Sequence, residues 1–430
     1  MPIYLDHNAT TPVDPAVLDA MLPFLANEPG NASSIHSYGQ RARSAVETAR
    51  EQLAQLLNAS PKEIVFTSGG TESNNHAIFG IVRASTHPTK HIITTNIEHE
   101  AVLNACQHLE SSANENTTVT YIPVDTNGVI DPQKIRAALR PNTVLITVMH
   151  ANNEIGSIQP LAEIAHIAAE HKIPFHTDAV QSVGKIPINV AQLGVDLLSL
   201  SGHKLYAPKG IGALFIKSGT RLQQFLYGGH HQRGARPGTE NVPGIVALGK
   251  AAELARLAME NQPAVTIENP ASAPVPHPFR GEGFQNNDRG RSESSDSPSS
   301  FENEPARIAH LRDHLESGLL ARTENSYINA AQAPRTPNTT NITFPGIDGE
   351  ALLIALDLRG IAVSTGSACS SGSVEPSHVL TAIGLSAQDA RSTIRLSLGR
   401  HTTAHEIDQA LTIIPQAVHH LRQLSPASRK

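Results

Sequence analysis

The segment Leu200-Ser201-Gly202-His203-Lys204 sets a lysine directly behind an apolar run, flanked by a hydroxyl, a glycine and a histidine. An amine held there can condense with a carbonyl compound to a Schiff base, although taken alone it reads as a solvated surface lysine. A second apolar run ends in Phe175-His176-Thr177-Asp178-Ala179-Val180-Gln181. If both runs are parallel strands of one sheet, Lys204 and Asp178 share the edge at which such sheets bind ligands. A carboxylate there would keep a pyridine nitrogen protonated: at ~4 Å and an effective dielectric near 20 the attraction is about 4 kcal/mol, roughly three pKa units. By itself Asp178 also suits a helix cap or a turn.

Phe66-Thr67-Ser68-Gly69-Gly70-Thr71-Glu72-Ser73-Asn74 reads as a strand end, a glycine turn and a helix starting at Thr71. Backbone amides at a helix N-terminus, with hydroxyls from Ser68 and Thr71, suit a phosphate. The segment has neither the Gly-Lys-Ser/Thr of a nucleotide phosphate loop nor the three-glycine dinucleotide pattern, so a simpler phosphate cofactor fits better. A capping box from Thr71 to Asn74 is the structural alternative. His99 follows another strand, where it can stack on a planar ring or move a proton near neutral pH. A zinc-protease His-Glu-x-x-His is excluded because position 103 is Leu103.

Of the two cysteines, Cys369 lies in Ser364-Thr365-Gly366-Ser367-Ala368-Cys369-Ser370-Ser371-Gly372-Ser373, a tether of small residues. From Ser364 to Pro376 the fully extended contour is roughly 40 Å, long enough to reach both a buried site and a partner. Cys106, in Val102-Leu103-Asn104-Ala105-Cys106, falls on a helix and reads as a small buried hydrophobe. Two cysteines allow neither a disulfide framework nor a cysteine-zinc site within one chain.

These segments need a frame to bring them together. The 430 residues, 39% of them hydrophobic, suffice for one large domain and a smaller one. A net charge of −6 without long basic runs gives no footprint for nucleic acid. The start, Met1 running into Ile3-Tyr4-Leu5, and the lack of an eighteen-residue apolar run predict a cytoplasmic protein away from membranes. Between Glu63 and Leu200, apolar runs at Ile64-Val65-Phe66, His91-Ile92-Ile93, Val119 to Val124, Val144 to Met149, Pro174 to His176 and Asp196 to Leu200 alternate with helical stretches, predicting an α/β fold with a mostly parallel sheet. Ala42, Val46, Ala49, Leu53 and Leu56 mark an amphipathic helix packed on it. A smaller α+β set follows, with a helix near Glu350 to Leu358, strands at Asn341 to Phe344 and Thr393 to Leu398, and a last helix striped by Ile407, Leu411, Ile414, Val418 and Leu421. Residues 262–305, rich in Pro, Ser and Gly, are expected to be a disordered insertion, inert or partner-binding. The expected division is 1–15 joining the small domain, 16–250 the large domain and 306–430 the small domain.

From Tyr4-Leu5-Asp6-His7-Asn8-Ala9-Thr10-Thr11-Pro12 to Arg395-Leu396-Ser397-Leu398-Gly399-Arg400 the chain resembles the cysteine desulfurases of the class V aminotransferase family, with the insertion as the one large departure. The resemblance implies a fold-type I transferase with a mostly parallel seven-stranded sheet, binding pyridoxal 5'-phosphate. It implies that Lys204 is the Schiff base, Asp178 pairs with the pyridine nitrogen, Gln181 bonds the ring hydroxyl and His99 stacks on the ring. Gly70, Thr71, Ser201 and His203 would hold the phosphate, joined by Thr239 of Arg236-Pro237-Gly238-Thr239-Glu240 from a second subunit, hence a homodimer. Asn153 and Arg395 would face the substrate L-cysteine, Arg395 forking onto its carboxylate. The Thr365-Gly366-Ser367-Ala368-Cys369 loop resembles the group that serves nitrogenase and general iron-sulfur assembly, in which Cys369 takes the sulfur as a persulfide for an iron-sulfur scaffold or other acceptor. No resident metal is implied, and Cys369 would meet an iron-sulfur cluster only on a partner. Alternatives at this level are a selenocysteine lyase, another enzyme of the fold in which Cys369 is incidental, and a non-catalytic regulator keeping the fold.

Overall fold

The computed structural model describes residues 2–260, 303–365 and 376–424. The strands before residue 261 are β1 (Ile3–Tyr4), β2 (Ile64–Thr67), β3 (Lys90–Thr95), β4 (Thr117–Ile122), β5 (Thr143–Thr147), β6 (Phe175–Asp178), β7 (Leu197–Ser201) and β8 (Gly212–Ile216). After residue 302 come β9 (Tyr327–Ile328), β10 (Thr339–Thr343), β11 (Ile361–Ala362) and β12 (Thr393–Ser397). Seven strands form the large sheet in the order β2-β8-β7-β6-β5-β3-β4. Every pairing in it is parallel except those of β8, which runs antiparallel between β2 and β7.

Helices cover both faces of the sheet, so the inner strands β5, β6 and β7, and the edge strand β2 as well, are buried at every residue, polar positions such as His176 and Ser199 included. The expected apolar runs all become strands. β8 is absent from that expectation because the alternation breaks there: β7 reaches β8 through a turn that carries Lys204, with no crossover helix between them. The first four helices are α1 (Pro15–Ala26), α2 (Ser37–Leu57), α3 (Gly70–Ala84) and α4 (Glu100–Ser111). On α2 the predicted stripe Ala42, Val46, Ala49, Leu53 and Leu56 is buried. The stripe packs on the helix Val242–Glu260, closely enough that a Cβ on Gly249 would stand 2.5 Å from Ala49 Cα.

The smaller unit is an antiparallel sheet, β12-β10-β9, with the helices Glu304–Arg322, Gly349–Asp357 and Ala404–Leu424. β1 pairs in parallel with β11, and Ile3 and Leu5 are buried in the same core as Phe344, Leu396 and Val418. The helix Val242–Glu260 runs past the boundary expected at 250. Asn303 accepts the Ala306 N–H and caps Glu304–Arg322, so the last residues of the segment 262–305 are a cap and a first helical turn. Residues 261–302 lie outside the described residues. Among the described residues no helix is long and apolar enough to cross a membrane.

Candidate active site

Five parallel strands end at one edge of the large sheet, and the chain leaving each of them delivers part of a cavity of about 330 Å³. β2 leads to Gly70 and Thr71 at the start of α3. β3 leads to His99 before α4, β5 to Asn153, β6 to Asp178 and Gln181, and β7 to Ser201, His203 and Lys204. Arg395 enters from β12 of the smaller sheet, and Asn8 and Ala9 from the N-terminal segment. The cavity thus gathers every expected site residue except Ser68, Thr239 and Cys369. Thr239 is exposed and does not line it. Cys369 lies outside the described residues.

Asp178 lines the cavity and also makes the turn bond its position allowed. Its Oδ1 accepts the Val180 N–H at 2.9 Å, a turn bond, while its Oδ2 accepts Asn74 Nδ2 at 2.6 Å. That second bond removes the capping-box alternative, since Asn74 reaches across to β6 rather than back along its own helix. The Oδ1 of Asn74 is buried and without a partner. His99 caps α4, its Nδ1 accepting the Ala101 N–H at 3.1 Å, so a neutral ring carries its proton on Nε2. Lys204 Nζ donates to the main-chain oxygens of Asn8 and Ala9 at 2.5 and 2.6 Å. His203, at 3.2 Å from Thr10 Oγ1, has its pKa lowered to about 4 by burial and by Lys204 and Lys209, which leaves it neutral near pH 7. Arg395 is 3% exposed; its Nη1 donates to Asn153 O at 3.0 Å and its Nη2 to Asp6 at 2.8 Å, while its buried Nε has no partner among the described residues.

One expected phosphate contact changes. Ser68 does not line the cavity, and its N–H turns to Glu72 at 2.8 Å. Glu72 is in turn paired with Arg236 at 2.8 Å, which ties the Thr239 loop to α3. Four residues of the site carry no sequence signal of their own. Asp6, Asn8, Asn74 and Lys185 join the site through folded contacts, most of them across 100 or more positions, such as Asn8 Nδ2 to Asn153 O at 3.1 Å.

The cavity fits pyridoxal phosphate. A Cβ on Gly70 would come within 2.7 Å of Val180 Cγ2, so the glycine keeps the mouth of α3 open to an anion. A buried carboxylate, an amine and two orphaned polar atoms, Asn74 Oδ1 and Arg395 Nε, supply groups for a ring nitrogen, an aldehyde and a carboxylate. A family model, aminotransferase class-V, matches residues 3–268 and 298–410. The chain is 45% identical over 424 residues to "Cysteine desulfurase IscS" of Dictyoglomus turgidum, covering 99% of this chain and 96% of that one. It is 46% identical over 424 residues to "Cysteine desulfurase" of Nostoc sp. PCC 7120, covering 99% and 94%. Among solved structures it is similar to a NifS-like protein, with TM-score 0.82, 33% identity and coverage of 98% and 100%. It is also similar to SspA in complex with cysteine, with TM-score 0.74, 36% identity and coverage of 93% and 100%. The chain belongs to the aminotransferase class-V family, in its cysteine desulfurase branch, and its cofactor is pyridoxal 5'-phosphate.

Proposed function

We propose that the chain is a cysteine desulfurase that binds L-cysteine in the Lys204 cavity and carries the sulfur away on Cys369. The observation behind this reading is the meeting of Lys204, Asp178, His99, Gln181 and Arg395 around one cavity in a chain whose relatives over nearly full length are cysteine desulfurases. When bound, pyridoxal phosphate supplies an electron sink next to the substrate α-carbon. Asp178 would keep the ring nitrogen protonated, with Asn74 holding the carboxylate in place. His99 and Gln181 would hold the ring, Gln181 at its hydroxyl, and Gly70, Thr71, Ser201 and His203 would hold the phosphate. Thr239 joins them from a second copy, a reading supported by its exposure and its absence from the lining of its own chain's cavity, and this makes the enzyme a homodimer. Arg395, with Asn153 beside it, orients the substrate carboxylate, using the unpartnered Nε. Lys204 moves the proton at the α-carbon.

The transfer balances without an outside oxidant. The Cys369 thiolate attacks the substrate sulfur, an S–S bond forms, the C–S bond breaks with its electron pair on carbon, and protonation there gives L-alanine and a persulfide on Cys369. The acceptor in this reading is an iron-sulfur assembly scaffold or another thiol-bearing protein, and the compartment is the cytoplasm, where a catalytic thiol stays reduced. The test is Cys369→Ser. The variant should keep its visible absorbance and the change produced by L-cysteine, yet form neither alanine at the wild-type rate nor a sulfur adduct visible by mass. Full-rate alanine and sulfide formation would remove Cys369 from the reaction.

A further inference from the structure

Lys185 lies on the turn after β6, four positions beyond Gln181, and no carboxylate pairs with it among the described residues. Its Nζ donates to Gln181 Oε1 at 2.6 Å and to Asn8 Oδ1 at 2.9 Å. Burial, together with the charges of Lys204 and Arg395, holds its pKa well below the ordinary lysine value. An amine so placed is costly, and two neutral amide oxygens are weak compensation for a buried cation. What it does achieve is orientation. A side-chain amide can turn either end toward a neighbour, but Nζ offers hydrogens in either protonation state and the Asn8 carbonyl offers none. Gln181 is therefore fixed from both ends, Oε1 on Lys185 and Nε2 on Asn8 O at 3.1 Å. Of the two Nε2 hydrogens, one goes to Asn8 O, which leaves the other for the cavity that Gln181 lines.

We propose that Lys185 is a positioning residue that sets the polarity of Gln181, making it a hydrogen-bond donor into the cofactor cavity and so favouring the anionic form of the ring hydroxyl. The proposal rests on the reading that Gln181 meets that hydroxyl. Asn8 shares the arrangement: its Oδ1 accepts from Lys185 and from Asn338 Nδ2 at 3.0 Å, and its Nδ2 donates to Thr339 at 2.9 Å, so the lysine orders two amides at once. The other charged or titratable groups around the cavity, Asp178, His99, His203, Lys204 and Arg395, remain in every variant below.

The experiment is a pH titration of the visible absorbance of the holoenzyme, which reads the proton shared by the cofactor and its lysine linkage. Removing a donor from an oxygen anion makes that oxygen more basic, so Lys185→Met should raise the midpoint by about one pH unit, the scale of one hydrogen bond to a charged group. Gln181→Leu should raise it similarly, and in that background Lys185→Met should add nothing. An unmoved midpoint in Lys185→Met, with Gln181→Leu shifted, overturns the proposal alone. An undiminished shift by Lys185→Met in the Gln181→Leu background also overturns it, because the lysine then acts by its own charge. An unmoved midpoint in Gln181→Leu overturns the assignment of Gln181 to the ring oxygen and the proposal with it. Should Lys185→Met fail to fold, Lys185→Leu likewise offers Gln181 no hydrogen, and an unshifted midpoint in it counts equally against the proposal.

Discussion

The cofactor side of the cavity and its sulfur side are built differently. On the cofactor side, each group sits within a few residues of the end of a buried parallel strand, so the sheet itself sets its position. On the sulfur side, the segment that carries Cys369 is fastened at both roots by contacts that reach across the molecule. Ser364 exchanges main-chain bonds with Arg395, at 2.7 and 3.2 Å. Ser377 Oγ donates to the buried Glu154 at 2.6 Å, and His378 Nε2 lies 3.0 Å from Glu98 O, one residue before His99. The groups proposed to bind cofactor follow the ends of strands of one sheet, whereas the two roots of the Cys369 segment are held by residues beside those proposed to bind substrate. Damage on the first side should abolish the cofactor; damage on the second should spare it.

The largest effect should come from Lys204→Ala. The purified protein should lose its visible absorbance and its turnover should fall by roughly 10³-fold or more, since an anchor and a proton carrier go together. Retained absorbance would break the comparison at its root. Next come Asp178→Asn and Asn74→Ala. Losing the charge at the ring nitrogen removes about 4 kcal/mol, so turnover in Asp178→Asn should fall about 10³-fold. Asn74→Ala deletes only one bond to that carboxylate, worth about 1.5–3 kcal/mol, and should cost about 10- to 100-fold. Equal losses in the two variants would mean that Asn74 does more than hold Asp178.

Most of the cofactor side is legible in the sequence, for a physical reason. A strand buried on both faces reads as an apolar run, its end is marked by glycine or a hydroxyl residue, and the next polar side chain is delivered to the sheet edge. Lys204, Asp178, His99 and Gly70 all follow this pattern. Asn8, Asn74 and Lys185 do not. Each sits in a stretch that suits a turn or a helix equally well, and folded contacts give it a role: Asn74 with Asp178, Asn8 with Gln181, and Lys185 with both Gln181 and Asn8. The same holds for Glu154, whose carboxyl is matched to Ser377 across 223 positions.

Glu154 turns that difference into a measurement. Burial pushes its pKa up to about 7, against the opposing influence of the Ser377 hydroxyl and the charges of Arg395 and His99. A carboxyl whose folded pKa exceeds its unfolded value of about 4.5 is held in the protonated form by folding. Its contribution to stability is therefore complete below about pH 4.5, is lost as pH rises toward 7, and stays lost above it. Glu154→Gln keeps an oxygen for Ser377 but cannot ionise. The melting temperature of the wild type relative to this variant should therefore fall between pH 4.5 and 7 and level off beyond, with the visible absorbance alike in both. A flat difference would show that Glu154 is ionised in the fold.

The smallest effect should come from the second cysteine. Cys106 is fully buried on α4 among Ile78, Val102 and Leu109, and burial raises its thiol to about pKa 12, so it holds almost no thiolate near neutral pH. Sulfur transfer needs a thiolate that can meet both substrate and acceptor, and Cys106 offers neither charge nor access. Cys106→Ala should leave the rate of alanine formation within about twofold of wild type, with a loss of stability of about 1 kcal/mol from the missing sulfur in the core. In the native protein iodoacetamide should modify Cys369 and spare Cys106 until the chain is unfolded. Alkylation of Cys106 at a comparable rate would mean that α4 opens on the time scale of the reaction, and that a buried thiol is not enough to distinguish the structural cysteine from the catalytic one.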